Sequence, residues 1–431
     1  MGAAAMCYYH LGLFMPRVLE VGAAKNLAGG YAFGNDFYPV WLTSREWVRE
    51  GRDPYSTEMT REIQQGLFGR PLDSQIPTDP LTDYRTFAYP AFTDLLFWPT
   101  ADLPFPPVRV VLVVLLAVLT VASVGLWMRA LSWRLRGPWL TVTVLMTLFS
   151  YPVLEGLYAG QLGLLVGFLL AASILALQRG RLLLAGILMA LTTIKPQMTV
   201  LAIFYLVLWS SADWRRRNRF GLGFVSTMLA LVVAAMAVWP HWIQSWTTVV
   251  LGYHRYARPP LISELFALPL GTNTTGLASM AMIAVLLITT GVLAWSNRAA
   301  AVDSMRFWLT LSLLLCVTGV TLLPGQAIHD HVILLPGIFL LAYHWREMSS
   351  SWIQKMLLAT AAGLLLWPWF SSAGLIALHP LLSHQQFYSK AIFALPLRTA
   401  AAFPFVVLGL LALALRATRA ATGTSGLSAA G

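Results

Sequence analysis

Long apolar runs separated by short polar segments make up most of the chain from residue 108 to residue 415. An α-helix needs about 20 apolar residues to cross the roughly 30 Å hydrocarbon core of a bilayer. The pattern predicts an all-α polytopic membrane protein with about 11 to 12 transmembrane helices. The predicted spans are residues 3–24, 108–128, 139–157, 160–178, 182–194, 197–210, 220–239, 278–296, 305–323, 331–345, 353–370 and 399–415.

Three of these runs depart from a simple span. The first, 3–24, is interrupted by Pro16, Arg17 and Glu20, and its apolar stretch is short. The runs at 182–194 and 197–210 are each shorter than the roughly 20 residues that cross a bilayer. They flank the dipeptide Lys195-Pro196, and proline disrupts a helix. We therefore predict a broken hairpin at this point.

Basic residues occur in alternate loops, which gives the predicted chain an orientation. Arg129, Arg134 and Arg136 share one loop, and the cluster 215–219 lies in another. Short cytoplasmic loops are enriched in Lys and Arg, so these loops and both termini are predicted to lie inside. The other face receives a long loop, 25–107, and most of the carboxylates. We expect one membrane domain over 1–415 and a disordered cytoplasmic tail over 416–431.

Composition agrees with this pattern and narrows the function classes. The chain is 58% hydrophobic and 11% charged, with a mean hydropathy of +0.68. Its net charge of +11 comes largely from the short loops, so the charge indicates which loops face the cytoplasm. We therefore expect no nucleic-acid partner. There is no P-loop, no GxGxxG and no HExxH in the sequence, so no nucleotide or zinc-protease chemistry is indicated.

The long loop opens with the segment YAFGNDFYPVWLTSREWVREGRDPY, residues 31–55. After Asn35 and Asp36 it places an apolar stripe opposite a charged one, which favours a helix lying in the headgroup plane and ending at Gly51. An ionised carboxylate at the membrane boundary can take a proton from a substrate hydroxyl. Asp36 is therefore a candidate general base. The alternative is an Asx-turn or a helix cap.

Further polar residues interrupt the apolar pattern on the same face. Tyr89 lies in the run FAYPAF, where it either contacts substrate or anchors the loop at the interface. Gln161 begins a span and Glu155 lies just outside it. Both are candidate substrate-binding residues, and the alternative is that they cap a helix or are solvated.

Lys195 is a charge inside an apolar hairpin, with Gln197 two residues away. A charge within a span costs about 2.5–3.5 kcal/mol or more and marks a functional candidate. Lys195 could pair with a phosphate, or it could extend to the lipid headgroups. The segment GQAIHDH adds His329 and His331, which would lie on opposite sides of a helix. This spacing favours hydrogen bonding to a phosphate or sugar over metal binding.

Three of these segments together resemble glycosyltransferase family 87. They are GNDFYPVWLTSREWVREGRDPY, FAYPAF and GQLGLLVGFLLAASILALQRGRLLLAGILMALTTIKPQ, and the resemblance covers about residues 30–210. It implies a GT-C-like fold whose long first extracytoplasmic loop contains membrane-parallel helices, with an acidic residue of that loop acting as base. Asp36 is the residue that matches. The family's Tyr-Pro-Pro is here Tyr89-Pro90-Ala91.

The resemblance also implies the class of donor. The donor would be a sugar on a polyprenyl phosphate, and we expect mannose, with an arabinosyl or glucosyl donor as the alternative. The acceptor does not follow from the resemblance; we expect a lipid or glycan, with a protein as the alternative. No cofactor and no metal would be required. We expect a monomer in the plasma membrane, surrounded by membrane lipids, with its active site on the extracytoplasmic face.

Together these predictions describe an inverting transfer with Asp36 as general base. Positive charge and hydrogen-bond donors would stabilise the leaving phosphate. The predicted substrate-binding residues are Asn35, Tyr89, Glu155, Gln161, Lys195, Gln197, His329 and His331. A lipid or solute transporter or flippase is the alternative, and it predicts charges on both sides of a central path. A noncatalytic scaffold would leave Lys195 without a role.

Overall fold

A computed structural model describes residues 1–73, 75–76, 79, 84–253, 257–348, 351–389 and 391–427, with the backbone alone at 267–275 and 417–427. Every regular element in these ranges is helical, which confirms the all-α prediction. The α-helices are α1 (Gly2–Tyr8), α2 (Met15–Ala23), α3 (Tyr38–Glu50), α4 (Thr57–Phe68), α5 (Phe92–Phe97), α6 (Phe105–Ala130), α7 (Pro138–Leu148), α8 (Tyr151–Ala159), α9 (Gly163–Gln178), α10 (Leu182–Leu191), α11 (Pro196–Ala212), α12 (Trp214–Val238), α13 (Trp242–Tyr253), α14 (Leu261–Ser296), α15 (Met305–Thr321), α16 (Leu335–Tyr343), α17 (Trp352–Leu378), α18 (His384–Ser389), α19 (Leu395–Ala401) and α20 (Phe403–Leu427).

Short helices of other types join these elements. A π-helix connects α1 to α2 (Tyr9–Phe14), and the 3-10 helices are Ala28–Tyr31, Asn35–Phe37, Trp98–Thr100, Thr192–Ile194, Ile328–Leu334, His379–Leu381 and Ala391–Ala394. Helix α20 runs to Leu427, into the segment 416–431 predicted as a tail. The side chains of that segment lie almost wholly outside the described residues, so its disorder stays a prediction.

The apolar helices confirm a polytopic membrane protein. Five described helical segments are long and apolar enough to cross a membrane: 105–130, 214–238, 276–296, 352–381 and 391–416. Helices α7 and α8 add a sixth span if this pair, bent by 56°, counts as one. Five shorter apolar helices of 10–17 residues bring the total to eleven apolar segments. For those five, crossing the membrane stays a prediction.

The predicted break at Lys195-Pro196 is confirmed, but α10 packs on α9 and α12 and does not fold back along α11. Helix α10 ends at Leu191, a 3-10 turn follows, and α11 begins at Pro196. Lys195 between them is extended, with φ −129° and ψ 76°. Proline fits the first helical position because its missing N–H has no partner there. The break places the ammonium group of a buried lysine at the junction of two apolar helices.

The centre of the molecule is α15. Every residue from Phe307 to Thr321 is buried, including the thiol of Cys316. Helix α15 packs against α11, α14, α16 and α20. A helix that is apolar on all sides has no solvent-facing stripe, so it is stable only when neighbours cover it completely.

The first loop forms a compact helical layer. Helix α3 begins at Tyr38 and ends as predicted at Gly51, whose φ of 64° suits glycine. It packs against α4 and α5. The buried carboxylate of Asp94 on α5 accepts hydrogen bonds from Thr43 Oγ1 at 2.9 Å and from Ser44 Oγ at 3.1 Å. These contacts fix α3 on α5.

Burial raises the pKa of Asp94 well above its ordinary value, and the bonds from Thr43 and Ser44 only partly oppose this. An acid with a raised folded pKa binds a proton that the unfolded chain lacks above about pH 4, so its contribution to stability falls as pH rises. We predict that Asp94→Ala lowers thermal stability in detergent by about 1–3 kcal/mol because both hydroxyls lose an acceptor.

Asp94→Asn is the matched control, since its amide oxygen still accepts both hydrogen bonds. It should melt close to the wild type at neutral pH, and its stability should depend less on pH above about 4. Equal melting temperatures for Asp94→Ala and the wild type would contradict the role assigned to this contact.

Candidate active site

The turn that carries Asp36 is docked on the end of α8. Gly34 donates its N–H to Tyr158 O at 2.7 Å. Both Gly34 and Gly160 have positive φ, 74° and 75°. A Cβ at position 160 would lie 3.2 Å from the backbone of Gly34, so the two segments approach through glycine backbone on both sides. This contact joins the first loop to the start of α9.

Asp36 caps no helix, so the alternative that its side chain is a helix cap is wrong. The N-cap of α3 is Phe37, and no side chain caps it. The two carboxylate oxygens of Asp36 instead accept hydrogen bonds from different segments, Oδ1 from Arg85 Nη1 and Oδ2 from Gln161 Nε2. The Asp36 side chain is 20% exposed. Each oxygen has a second lone pair, so the carboxylate can still accept a substrate hydroxyl.

The charge state of Asp36 follows from these partners. Burial raises the pKa of Asp36, but the charge and hydrogen bond of Arg85 outweigh it, with smaller contributions from His329 and Gln161. The pKa therefore lies below its ordinary value of about 3.9. Asp36 is therefore ionised at neutral pH, which is the charge state that a general base requires.

Lys195 is buried and ion-paired. It is 7% exposed, so the alternative of extension to the lipid headgroups is wrong. Its Nζ donates to Asp330 at 2.7 and 3.0 Å and to Gln161 Oε1 at 3.0 Å. Gln161 thus connects Asp36 to Lys195, because its amide nitrogen donates to Asp36 and its amide oxygen accepts from Lys195. A hydrogen-bonded chain runs from Arg85 through Asp36, Gln161 and Lys195 to Asp330.

The two histidines of the predicted pair have different surroundings. His329 Nε2 lies 3.6 Å from Asp330 Oδ1, and its side chain is 12% exposed. The charges of Lys195, Asp36 and Arg85 all act on it. His331 is 4% exposed, and its Nδ1 has no hydrogen-bond partner in the described part of the chain. His329 therefore belongs to the Asp36 cluster, and His331 is more deeply buried, with the charges of Asp330 and His329 acting on it.

Other predicted residues lie around the cluster or apart from it. Tyr89 is close: burial raises the pKa of its hydroxyl, and the charges of Asp330 and Asp36 raise it further. Asn35 donates to Gly29 O and so supports the turn of the loop. Gln197 is half-buried on α11. Glu155 lies 3.4 Å from His10, Oε2 to Nε2, and the charge of Asp36 acts on it.

Sequence reasoning assigned no role to Arg85, Asp330 or Tyr253. The charges of Lys195, Arg85 and Asp36 all act on Tyr253, and burial, the largest cause, raises the pKa of Tyr253 to about 12. Arg85 has a φ of 53°, a conformation that costs a non-glycine residue roughly 1 kcal/mol or more and recurs at functional sites. One signal was available for Asp330, since a lysine within a span needs a carboxylate partner.

The described residues contain no group of three or more His, Cys, Asp or Glu side chains arranged to hold a metal ion. The cluster itself consists of a carboxylate–guanidinium pair and a carboxylate–ammonium pair bridged by an amide. That a metal is not required stays a prediction. Proton transfer and electrostatic stabilisation are the chemistry that these side chains can supply.

An apolar groove of about 860 Å³ lies between α3, α5 and α12. Trp47, Leu95 and Trp98 line one wall, and the small side chains Ser226, Ala230 and Ala234 line the other. Trp47 lies eleven residues after Asp36, and most of that separation is along α3 at 1.5 Å per residue. The groove therefore lies along the helix that follows the turn of Asp36.

Because Lys195 and Asp330 are both buried, we predict that Lys195→Met lowers the stability of the protein by about 3–5 kcal/mol, leaving Asp330 as an uncompensated charge. The double variant Lys195→Met/Asp330→Leu removes both charges and should recover most of that loss. Thermal unfolding in detergent measures both. A double variant no more stable than the single one would contradict a direct ion pair.

Comparison with known proteins supplies one match. The family model described as glycosyltransferase family 87 matches residues 87–324, more than half of the chain. The matched segment contains Gln161 and Lys195, whereas Asp36 precedes it and His329 follows it by five residues. No curated protein and no solved structure matches the chain.

Proposed function

The chain belongs to glycosyltransferase family 87, and we propose that it moves mannose from a polyprenyl-phosphate donor to a lipid or glycan acceptor. Membership makes the protein a glycosyltransferase, which rules against the transporter and scaffold alternatives. Its apolar helices make it an integral, multi-pass membrane protein. We propose further that it acts as a monomer, without a metal or cofactor, at the extracytoplasmic face of the plasma membrane.

One observation carries the proposal: the ionised carboxylate of Asp36 is partly exposed and held between Arg85 and Gln161. A general base must be charged, fixed in orientation and reachable by its substrate. The two partners fix the orientation of the carboxylate. The remaining lone pairs of its oxygens can accept a hydrogen bond from the hydroxyl of the acceptor substrate. Gln161 in turn is fixed by Lys195.

The proposed step is an inverting displacement. The acceptor oxygen forms a bond to the anomeric carbon while its proton passes to an oxygen of Asp36. The bond between the anomeric carbon and the phosphate oxygen breaks, and its electron pair leaves with the polyprenyl phosphate. The phosphate changes from a singly charged diester to a more highly charged monoester. Asp36 becomes neutral and later returns its proton to water.

The leaving phosphate needs positive charge, and the cluster supplies it. Arg85 and Lys195 are the candidate cations and His329 is a candidate hydrogen-bond donor, since each lies with Asp36 in one hydrogen-bonded or electrostatic group. Preorganised charge is effective in a buried site because it needs no rearrangement during the reaction. We propose that Tyr89 and Gln161 bind sugar or phosphate oxygens. His331, on which the charges of Asp330 and His329 act, and Gln197 stay candidate substrate-binding residues.

A lipid-linked donor accounts for two further features. It enters from the bilayer, so the protein needs no nucleotide-binding element, and the sequence contains none of the usual motifs. Its isoprenoid chain needs an apolar surface, which the groove between α3 and α12 supplies. We assign that groove to the donor chain.

We predict that Asp36→Asn lowers the turnover of polyprenyl-phosphate mannose by about 10²–10⁴-fold, because the amide cannot take the proton. Transfer is measured in membranes with radiolabelled donor. Asp102→Asn is the control, since Asp102 is on the same loop, its side chain is 82% exposed and it pairs with Arg49 at the surface. Turnover of Asp36→Asn near that of Asp102→Asn would remove Asp36 from the role of base.

The groove assignment has its own test. Ala230→Trp fills the groove, so we expect it to raise the KM for a long polyprenyl-phosphate donor by about tenfold, or 1.4 kcal/mol. A donor with a ten-carbon chain should be used unchanged. Val225→Trp is the control, because Val225 is exposed and lies on the face of the same helix opposite the groove-lining residues. An equal effect on long and short donors would place the isoprenoid chain elsewhere.

A further inference from the structure

A second pair of titratable side chains, His10 and Glu155, lies beside Asp36 and takes no part in the transfer step. His10 comes from the π-helix of Tyr9–Phe14 in the first helical segment, and Glu155 from α8. The His10 Nε2 atom is 3.4 Å from Glu155 Oε2. A π-helical turn inside an α-helix is uncommon and often occurs at functional sites.

His10 is fully buried among aromatic rings. The rings of Tyr151 and Tyr158 meet it edge-on at 5.3 and 6.0 Å, and Phe14 stacks on it at 5.9 Å. Neither ring nitrogen makes a hydrogen bond within the described residues, and neither does Glu155 Oε2. Buried polar atoms are nearly always hydrogen-bonded, so this arrangement has capacity for a further polar group.

Glu155 lies on a helix that borders the Asp36 cluster. Helix α8 contacts both the turn of Asn35–Phe37 and the helix that carries His329. Gly156, the next residue, lies against the Cβ of His329, and Gly160 lies against Gly34. The Glu155 side chain is 29% exposed, although its neighbours His10 and Tyr151 are buried. Glu155 is therefore partly accessible on the helix that joins the Asp36 turn to His329, and the charge of Asp36 acts on it.

Charge divides the region around Asp36 and Glu155 into two ends. Arg85, His329 and Lys195 act on Asp36 or on its immediate partners, whereas the charge that acts on Glu155 is that of Asp36. A phosphate is favoured near the cations and disfavoured beside a second carboxylate. A neutral group that carries hydroxyls suits the end where Asp36 and Glu155 lie, because carboxyl oxygens accept hydrogen bonds from hydroxyls.

We propose that Glu155 accepts a hydrogen bond from a second hydroxyl of the acceptor, adjacent to the hydroxyl that attacks, and that His10 is the positioning residue that orients Glu155. This inference rests on the proposed role of Asp36. It narrows the acceptor to a sugar or another polyol with neighbouring hydroxyls. A lone serine or threonine hydroxyl of a protein would leave Glu155 without its hydrogen bond.

The test uses the full-length protein in detergent and octyl α-mannoside as the acceptor probe, with its four monodeoxy analogues. Binding is measured by quenching of tryptophan fluorescence, and transfer with labelled polyprenyl-phosphate mannose. In the wild type, we expect one deoxy analogue to be inert in transfer because it lacks the attacking hydroxyl. A second analogue should be transferred at an unchanged kcat but bind about tenfold more weakly.

The variants then show which residue recognises the second hydroxyl. Glu155→Met has no oxygen that can accept a hydrogen bond, so it should abolish the tenfold difference between the second analogue and the parent mannoside. His10→Phe keeps a buried aromatic ring but has no N–H group, and it should abolish the difference too. His10→Gln places an amide N–H near the position of Nε2 and should restore it. A purely structural role of His10 would not distinguish Phe from Gln in this way.

Three outcomes overturn the inference. They are a wild type that does not discriminate among the analogues, a Glu155→Met variant with unchanged discrimination, and a His10→Phe variant that behaves like the wild type. Failure of the proposed function is distinguishable, because it appears as absent mannose transfer by the wild type while the binding differences persist. Conversely, an inactive Asp36→Asn beside a Glu155→Met that still discriminates would support the general base and reject the subsite.

Discussion

A charge buried in an apolar protein must have a partner, and this constraint organises the site. Lys195 cannot stay among apolar helices without a counter-ion, and Asp330 supplies it at 2.7 Å. Gln161 links this ion pair to Asp36 through hydrogen bonds to both Lys195 and Asp36. Arg85 then pairs with the carboxylate of Asp36. The five residues come from five separate segments of the chain. Satisfying the buried charges therefore also fixes how these segments meet.

Close backbone approach lets the segments meet at this distance. Gly160 touches the backbone of Gly34, and Gly156 lies against His329. A Cβ at Gly163 would overlap the carboxylate of Asp330, so the start of α9 passes directly beside the ion pair. Glycine at these positions allows a close approach of the backbone that a side chain would prevent. The hydrogen-bonded chain and the glycine contacts thus occur at the same junction. The first supplies the electrostatic pairing, and the second supplies the room for the segments to approach.

The sequence could predict the class of the fold and half of the site. Periodicity and length locate the apolar helices, and the break at Lys195-Pro196 follows from the chemistry of proline. Asp36, Gln161 and His329 stand out because polar residues at the ends of apolar spans need a reason. Arg85 does not stand out, since a charged residue in a polar loop is ordinary. Its partner is 49 residues away, and only tertiary structure brings them together.

His10 was missed for a different reason. A lone histidine in a weak apolar run gives no signal, and the π-helix that turns it towards Glu155 depends on packing against α8. The sequence placed His329 and His331 on opposite sides of a helix, and in the structure His329 is 12% exposed beside Asp330 whereas His331 is 4% exposed. Sequence spacing fixes the direction of side chains only when the helix type is known. Residues 328–334 form a 3-10 helix, in which i and i+3 eclipse.

The pairing of Asp36 with Arg85 has a consequence for the proposed transfer. As base, Asp36 changes from −1 to neutral while the leaving phosphate gains one negative charge. The total charge of the site is unchanged, but one unit moves from the carboxylate to the phosphate. Arg85 loses the charge that it balanced when a new one forms nearby. A guanidinium that lies between the two can therefore stabilise the transition state more than the ground state, which is the condition for catalysis.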